Sequence, residues 1–175
     1  LKSMVDYLLD KGYDLHDDIQ ILIPMYKGMV GIDEINRFMQ ETYNLNTQKS
    51  LTYGDKTYRI NDKVLQLTNQ IEDGVMNGDQ GRVIAIDEDK NQLIVSFLDN
   101  EVTYHKKDLN NLTHAYAMSI HKAQGSEYKV VIVPIFKNYM IMLKRKLIYT
   151  AITRASNMLI LAGQMDGLSY AVERV

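Results

Sequence analysis

Two polar stretches in the second half of the chain carry residue types that bind phosphate groups. The first is Ser119–Glu127, with the sequence Ser-Ile-His-Lys-Ala-Gln-Gly-Ser-Glu, and it precedes the apolar run Val130–Val133. The second is Tyr149–Ala155, with the sequence Tyr-Thr-Ala-Ile-Thr-Arg-Ala. Hydroxyl, imidazole, ammonium and guanidinium groups all donate hydrogen bonds to phosphate oxygens. The two stretches therefore make a phosphate-containing ligand the first hypothesis.

The first stretch places three donors at the expected start of a short helix. Ser119 has the residue type of a helix N-cap, and His121 and Lys122 fall in the first turn. A helix N-terminus offers free N–H groups and the positive end of the helix dipole, which favour an anion. Taken singly, these residues are better explained by an ordinary capped surface helix. The phosphate hypothesis therefore depends on the whole pattern.

The end of the first stretch has groups suited to a nucleotide. Gln124 and Glu127 can hydrogen-bond a ribose or a water bound to a nucleotide. Gly125 fits the left-handed turn that ends such a helix, because glycine adopts positive φ without strain.

The second stretch predicts the end of a long helix at about 139–155. One broad face of that helix is apolar, whereas Lys146, Thr150, Thr153 and Arg154 fall on the other side. Arg154 could donate two hydrogen bonds to a phosphate and stabilise charge on a transferring γ-phosphoryl group. Spacing alone allows a surface salt bridge equally well, and such a bridge contributes little to stability.

The overall composition of the chain limits which of these hypotheses are possible. The chain has 175 residues, 46% of them hydrophobic and 24% charged, which is ordinary for one or two globular domains. Its net charge of −2 gives no bulk attraction to nucleic acid, so any such binding must come from local charge. No apolar run is long enough to span a membrane, and no signal peptide is visible. The absence of cysteine fits a cytoplasmic protein.

The order of predicted elements indicates an α/β fold with a small β insertion. The first forty residues predict helix, strand, loop and helix, with Gly12 ending the first helix and the face Ile32, Ile35, Phe38 and Met39 buried on the second helix. From about 47 to 107 the pattern is one of short strands and turns, typical of a small antiparallel barrel, and Asp87–Asn91 predicts the loop of a hairpin. Strands near 112–118, 128–135 and 157–163 then alternate with a short helix, the long helix and a last helix after 165.

The two polar stretches resemble conserved motifs of a known family. Ala117–Glu127 followed by a Val/Ile strand looks like motif V of superfamily 1 helicases, and Tyr149–Ala155 looks like motif VI. The similarity is to the RecD-like group of DNA helicases. Ile21–Asn36 resembles that group's motif IV region, and Asp62–Gly81 resembles the entry to its inserted SH3-like module.

The resemblance implies a fold and a division of the chain. The fold would be a RecA-like lobe, of the P-loop NTPase type but without its own P-loop, interrupted by an SH3-like β-barrel. Residues 1–54 would form the first part of the lobe, 55–108 the barrel and 109–175 the second part of the lobe. The chain has no Gly-x-x-x-x-Gly-Lys-Ser/Thr and no strand ending in a Walker B acidic pair.

The resemblance also assigns candidate roles to individual residues. Ser119, His121 and Lys122 would contact single-stranded DNA, as would Asn69 and Asn77 of the inserted module. Nucleotide-side residues would be Gln124, Gly125, Glu127, Arg154 and Lys27, with Arg154 as the catalytic arginine finger on the γ-phosphate.

We therefore expect the C-terminal portion of an ATP-dependent helicase that moves 5′ to 3′. ATP and Mg²⁺ would be held mainly by an N-terminal RecA-like lobe of the same protein, and this chain would bind no metal and turn over no ATP alone. Its partners would be that lobe and single-stranded DNA, with no membrane contact. Two alternatives stay open: a single-stranded DNA-binding module without motor activity, and a portion of a Pif1-like helicase.

Overall fold

A computed structural model describes residues 1–24, 31–135 and 145–163. They form two compact units, of which the first contains Leu1–Ile32 and the described residues from Ala117 onward, and the second contains Asp33–Tyr116. The helices and strands, in chain order, are α1 (Lys2–Asp10), β1 (Ile19–Ile23), α2 (Ile32–Tyr43), β2 (Ser50–Tyr53), β3 (Lys56–Arg59), β4 (Lys63–Gln66), β5 (Gln80–Asp87), β6 (Gln92–Ser96), β7 (Glu101–His105), β8 (Leu112–His114), β9 (Ala117–Ser119), β10 (Tyr128–Ile135), α3 (Arg145–Ile152) and β11 (Ala155–Gly163).

The first unit is built on a parallel sheet with the strand order β11-β10-β1-β9. In its register, Ile21 lies opposite Ala117 of β9 and Ile132 of β10, and Tyr128 lies opposite Ala155 of β11. All five residues of β1 are buried, which is the pattern expected of a strand covered on both faces of a parallel sheet. The carboxyl ends of these strands therefore share one edge of the sheet, and their amino ends share the other.

The helix that precedes this sheet ends where its sequence predicts. Val5 and Leu8 are fully buried on α1. Gly12 then takes a φ of +92°, and the backbone N–H of Tyr13 donates to the Leu8 carbonyl at 3.1 Å. This is the left-handed helix end that glycine favours, so the predicted stop at Gly12 is confirmed.

The second unit is built on an antiparallel sheet with the order β7-β6-β5-β4-β8, together with the β2–β3 hairpin. Its core consists mainly of alternating aliphatic residues, including Val64, Val83, Leu93 and Val95, none of which is exposed. At Gly81 a Cβ atom would lie 2.5 Å from Val95 Cγ1 and 2.8 Å from the Ser96 carbonyl oxygen. Only glycine lets β5 approach β6 this closely.

The predicted strand near 112–118 is wrong as a single element. Leu112–His114 pairs with β4 in the antiparallel sheet, whereas Ala117–Ser119 pairs with β1 in the parallel sheet. The link between them is held in the second unit, because Ala115 N–H donates to the Lys63 carbonyl at 2.8 Å. An apolar run indicates burial but not which sheet it joins.

The buried face of α2 also differs from the predicted one. Asn36, Met39 and Gln40 are buried, whereas Phe38 is 40% exposed. The prediction is confirmed for Met39 and wrong for Phe38, while Ile32 and Ile35 are half-buried. Hydrophobic periodicity missed Asn36 and Gln40 because they are amides, which find hydrogen-bond partners in the second unit. The second unit begins at Asp33 and ends at Tyr116, and the predicted insertion at 55–108 falls within it; the bounds of that insertion stay a prediction.

The remaining strands agree closely with the sequence. The predicted hairpin around 87–91 is formed by β5 and β6, and the predicted strand at 128–135 has the bounds of β10. The last helix expected after residue 165, the start of the long helix at 139 and Lys27 all lie outside the described residues.

Candidate functional site

Ser119 ends β9 at the carboxyl edge of the parallel sheet and caps the turn that follows. Its side-chain oxygen accepts a hydrogen bond from Lys122 N–H at 3.3 Å, which confirms the predicted cap. The helix is a single 3₁₀ turn, Ile120–Ala123, whose end residues are fully buried. Those two anchors leave His121 and Lys122 exposed on the opposite side. Local structure thus presents an imidazole and an ammonium group to solvent at this edge.

The chain then returns along the sheet to the amino ends of the strands. Gln124 N–H donates to the His121 carbonyl at 3.3 Å, and Gly125 has a φ of +84°. No heavy atom lies within 4 Å of a Cβ built on Gly125, so its backbone conformation rather than space favours glycine. The predicted left-handed glycine is therefore confirmed. Glu127 is exposed just before β10 begins.

Arg154 lies at the amino edge of the sheet, in the turn between α3 and β11. The predicted helix to residue 155 is wrong at its end, because α3 stops at Ile152. Arg154 N–H donates to the Ala151 carbonyl at 3.1 Å, and its own carbonyl accepts from Tyr128 N–H at 2.8 Å. These two bonds fix the Arg154 backbone and place it beside the first residue of β10.

The Arg154 side chain is only weakly engaged. Its Nη2 lies 3.4 Å from Thr153 Oγ1, and its buried Nε has no hydrogen-bond partner in the part of the chain that the structure describes. Among the described residues, Arg154 forms no ion pair with a carboxylate. Glu127 stands next to Tyr128, the residue bonded to the Arg154 backbone, yet the two opposite charges do not pair. The salt-bridge alternative for Arg154 thus finds no support in this part of the chain.

The two polar stretches are brought to opposite edges of one sheet. Ser119, His121 and Lys122 follow the carboxyl end of β9, whereas Glu127 and Arg154 precede the amino ends of β10 and β11. Separate edges allow two ligands, or two parts of one assembly, to be contacted at once.

Asn69 and Asn77 lie in the second unit, in the loop between β4 and β5. Asn77 N–H donates to Asn69 Oδ1 at 2.9 Å, so the two residues help to fold their own loop. Between and beyond them stand Glu72, Asp73 and Asp79, with no lysine or arginine from residue 64 to residue 81. This acidic setting opposes contact with a phosphate backbone.

The sequence patterns did not predict a buried polar cluster that lies in the second unit. Asp62 is fully buried on the turn before β4. Its carboxylate is surrounded by Gln40 Nε2 at 2.7 Å, Asn44 Nδ2 at 2.8 Å, Tyr116 OH at 2.7 Å, Arg59 N–H at 2.7 Å and His114 Nε2 at 3.4 Å. The sequence signal was the spacing Asn36, Gln40 and Asn44, which puts three amides on one helical face.

The cluster shifts the acidity of its members. Burial alone would raise the pKa of Asp62, but the hydrogen bond and charge of His114, and the hydrogen bonds of Tyr116 and Arg59 N–H, outweigh it and hold the pKa below its ordinary value of 3.8. Burial, with Asp62 close by, raises the pKa values of Tyr58 and Tyr116. Tyr58 also stacks on His114 with ring centroids 4.6 Å apart. Asp62 is thus an ionised, fully satisfied structural group.

A cleft of about 160 Å³ lies beside this cluster. Its rim carries three basic and three acidic side chains, so it has no net preference for an anion: these are Arg37, Lys56, Arg59, Asp33, Glu41 and Asp55. In the described part of the chain, no group of three His, Asp or Glu residues could hold a metal ion. Within the same residues, every helix is too short or too polar to cross a membrane.

Two protein-family models match the chain in adjoining regions. The UvrD-like helicase C-terminal domain matches residues 114–162, which contain both polar stretches. The SH3 domain of ATP-dependent RecD-like DNA helicases matches residues 35–97, within the second unit.

Curated relatives show the same similarity. The ATP-dependent RecD2 DNA helicase of Deinococcus radiodurans is 33% identical over 156 residues, which is 89% of this chain and 21% of that protein. The RecBCD enzyme subunit RecD of Mycolicibacterium smegmatis is 28% identical over 158 residues, which is 90% of this chain and 27% of that protein. The chain therefore spans about a fifth to a quarter of the length of these relatives.

Solved structures share the fold. A Bacteroides Pif1 helicase in complex with ADP-AlF3 and single-stranded DNA matches with a TM-score of 0.57 at 15% identity, over 86% of this chain and 41% of that one. Candida albicans Pif1 helicase matches with a TM-score of 0.55 at 17% identity, over 92% of this chain and 50% of that one. Sequence identity is higher to the RecD relatives, which favours that group over the Pif1-like alternative.

Proposed function

Because this chain belongs to the RecD-like superfamily 1 helicases, whose C-terminal portion it matches, we propose that it supplies one wall of an ATP site and part of a single-stranded DNA track. Its parallel-sheet unit would be the RecA-like lobe. Its antiparallel unit, Asp33–Tyr116, would be the inserted SH3-like module.

The amino edge of the parallel sheet would face the nucleotide. The observation that carries this role is the Arg154 guanidinium, held by its backbone at that edge with a buried, unpartnered Nε and no carboxylate partner among the described residues. Such a group is free to stabilise charge on a transferring γ-phosphoryl group. Gln124, Gly125 and Glu127 would border the same nucleotide, and Lys27 would add a further cation.

The phosphates and Mg²⁺ would be held mainly by the N-terminal lobe. The P-loop backbone, its lysine and the Walker B acid are the groups that bind them, and this sequence has none of these. Mg²⁺ prefers carboxylate and phosphate oxygens, and the described residues gather no such cluster. We therefore expect no ATP turnover by the 175-residue chain alone.

The carboxyl edge would lie along single-stranded DNA. Ser119, His121 and Lys122 offer hydroxyl, imidazole and ammonium donors there, which suit backbone phosphates and give little sequence preference. Asn69 and Asn77 would be secondary contacts, to bases rather than phosphates, because their loop is acidic. Closing and reopening of the ATP cleft would then move the two lobes along the strand, in the 5′ to 3′ direction expected from the family.

The test replaces Arg154 by Ala in the longer polypeptide that contains this chain. We expect DNA-stimulated ATP turnover to fall by about 10³-fold or more while nucleotide binding is kept, since arginine fingers contribute on the order of 10³–10⁵ to kcat. Arg37, an exposed arginine of α2, provides the matched control, and Arg37→Ala should turn over ATP normally. An unchanged kcat in Arg154→Ala would remove Arg154 from this role.

A further inference from the structure

One hydroxyl group connects the end of α3 to the Arg154 guanidinium. Thr153 Oγ1 donates to the Thr150 carbonyl at 2.9 Å, and Arg154 Nη2 donates to the same Oγ1 at 3.4 Å. The Thr153 backbone is fixed as well, because its N–H donates to the Tyr149 carbonyl at 3.0 Å. The hydroxyl therefore sits on a rigid support and faces the arginine.

The direction of these hydrogen bonds follows from the chemistry of a hydroxyl group. A threonine hydroxyl has one proton and two lone pairs. Because the Thr150 carbonyl can only accept, the Thr153 proton points at it, and the lone pairs are left for a donor. The neighbouring guanidinium is such a donor, so the helix end presents an acceptor to Arg154 in a fixed place.

The Arg154 side chain can adopt several conformations, and Thr153 can restrict them. Its backbone is bonded on both sides, to Ala151 and to Tyr128, but with the described residues the long side chain beyond Cβ makes a single hydrogen bond, the one to Thr153. An arginine side chain has many rotamers, so a fixed acceptor changes how often the guanidinium is correctly placed. A misplacement of about 1 Å at a reacting centre can cost on the order of 10²-fold in rate.

We propose that Thr153 is a positioning residue that holds the Arg154 guanidinium ready for the γ-phosphate. Thr153 acts through Arg154 and does not itself touch the nucleotide. This role rests on the proposed function of Arg154. The bond at 3.4 Å is long, so its effect is smaller than that of the arginine.

The experiment removes the hydroxyl and keeps the shape, using Thr153→Val in the longer polypeptide. We expect kcat for DNA-stimulated ATP turnover to fall about tenfold, with KM for ATP within about twofold of the unmodified protein, because only the placement of the arginine changes. Thr153→Ser restores the hydroxyl and should restore kcat to within about twofold. Thr153→Ala, a second variant without the hydroxyl, replaces Thr153→Val should that protein fail to fold.

A double variant separates positioning from general damage. In an Arg154→Ala background, Thr153→Val should lower kcat no further, since residues that act as one unit are non-additive. Thr103, exposed on β7, serves as the control for a Thr→Val change elsewhere.

The possible outcomes distinguish this role from the proposed function. If Arg154→Ala abolishes turnover and Thr153→Val turns over ATP normally, the positioning role is wrong and the arginine finger stands. Equal losses in Thr153→Val and Thr153→Ser would also overturn it, because the hydroxyl would not be the active group. If Arg154→Ala itself keeps normal turnover, the proposed function fails.

Discussion

Asp62 and Arg154 both carry a charge and have buried polar atoms, yet the number of hydrogen-bond partners around the two groups is very different. Asp62 is fully buried, and each carboxylate oxygen has at least two polar neighbours within 3.4 Å. Arg154 is half-buried, its Nε has no partner, and one long bond engages its Nη2. Both oxygens of Asp62 are hydrogen-bonded within the second unit. Among the described residues, the Arg154 guanidinium has only the bond to Thr153 Oγ1 and no carboxylate partner.

The difference separates structural from functional polar groups. A buried charge is retained only when paired and hydrogen-bonded, so the Asp62 cluster is accounted for by the fold of the second unit. The Arg154 guanidinium is held in place by its backbone and engaged by one long hydrogen bond, so among the described residues it lacks a comparable set of partners, which is why we propose a ligand for it. Residue type alone would not have told these two cases apart.

Removing the carboxylate of Asp62 should cause the largest loss of stability among the variants that compare Asp62 with Arg154. Asp62→Ala takes one buried acceptor away from the amides of Gln40 and Asn44 and from the Tyr116 hydroxyl. Breaking a buried pair in this way costs about 3–5 kcal/mol of the free energy of unfolding. Urea unfolding of the purified chain measures it.

Two controls accompany that measurement. Arg154→Ala should change the free energy of unfolding by less than about 1 kcal/mol, because its side chain makes one weak contact. Asp6→Ala, which removes the exposed pair with Lys2 at 2.7 Å, should cost about 0.5 kcal/mol or less. Comparable losses in the free energy of unfolding of all three variants would contradict the account, because Asp62 would then be no more important to the fold than Arg154.

The pH dependence of stability gives a second, smaller test of Asp62. Its folded pKa lies below the ordinary value of 3.8, so its contribution is fully present above that value and is lost as the pH falls through the folded pKa. The stability difference between the unmodified chain and Asp62→Asn should therefore be constant from pH 7 to about 5 and shrink below about 4. A difference that grew on acidification would mean that Asp62 is protonated in the folded chain.

The smallest expected effect is on the salt dependence of single-stranded DNA binding, where Lys122 is compared with Asn77. Lys122→Ala in the longer polypeptide should weaken single-stranded DNA binding regardless of sequence and reduce the slope of log K against log salt by about 0.7, the value for one phosphate contact on a single strand. Asn77→Ala should leave that slope unchanged because its loop is acidic. If Asn77→Ala changed this slope and Lys122→Ala did not, Asn77 rather than Lys122 would be the residue that contacts a phosphate.

The sequence was sufficient for features whose signal is local. Gly12, Gly125 and the Ser119 cap have residue types that determine their own backbone, and all three were confirmed. Strand β10 has a continuous apolar run from Val130 onward, which is typical of a strand in a parallel sheet. The motif resemblance likewise depends on residues close together in the chain.

Features that depend on distant partners were missed for a physical reason. The Asp62 cluster draws on residues from Gln40 to Tyr116, and a hydrophobic scale counts its amides as outward-facing. For that reason the prediction for α2 missed Asn36 and Gln40 and wrongly included Phe38. Strands β8 and β9 looked like one strand because pairing partners, not the run itself, decide which sheet each joins.

The division of the parallel sheet into a nucleotide edge and a DNA edge is tested most directly by one titration. Single-stranded DNA affinity without nucleotide is compared between Arg154→Ala and the double variant His121→Ala/Lys122→Ala, both in the longer polypeptide. We expect Arg154→Ala to bind within about threefold of the unmodified protein, and the double variant to bind about tenfold or more weakly, because charged hydrogen bonds contribute about 1.5–3 kcal/mol each. Equal weakening in both variants would place Arg154 on the DNA and contradict the division.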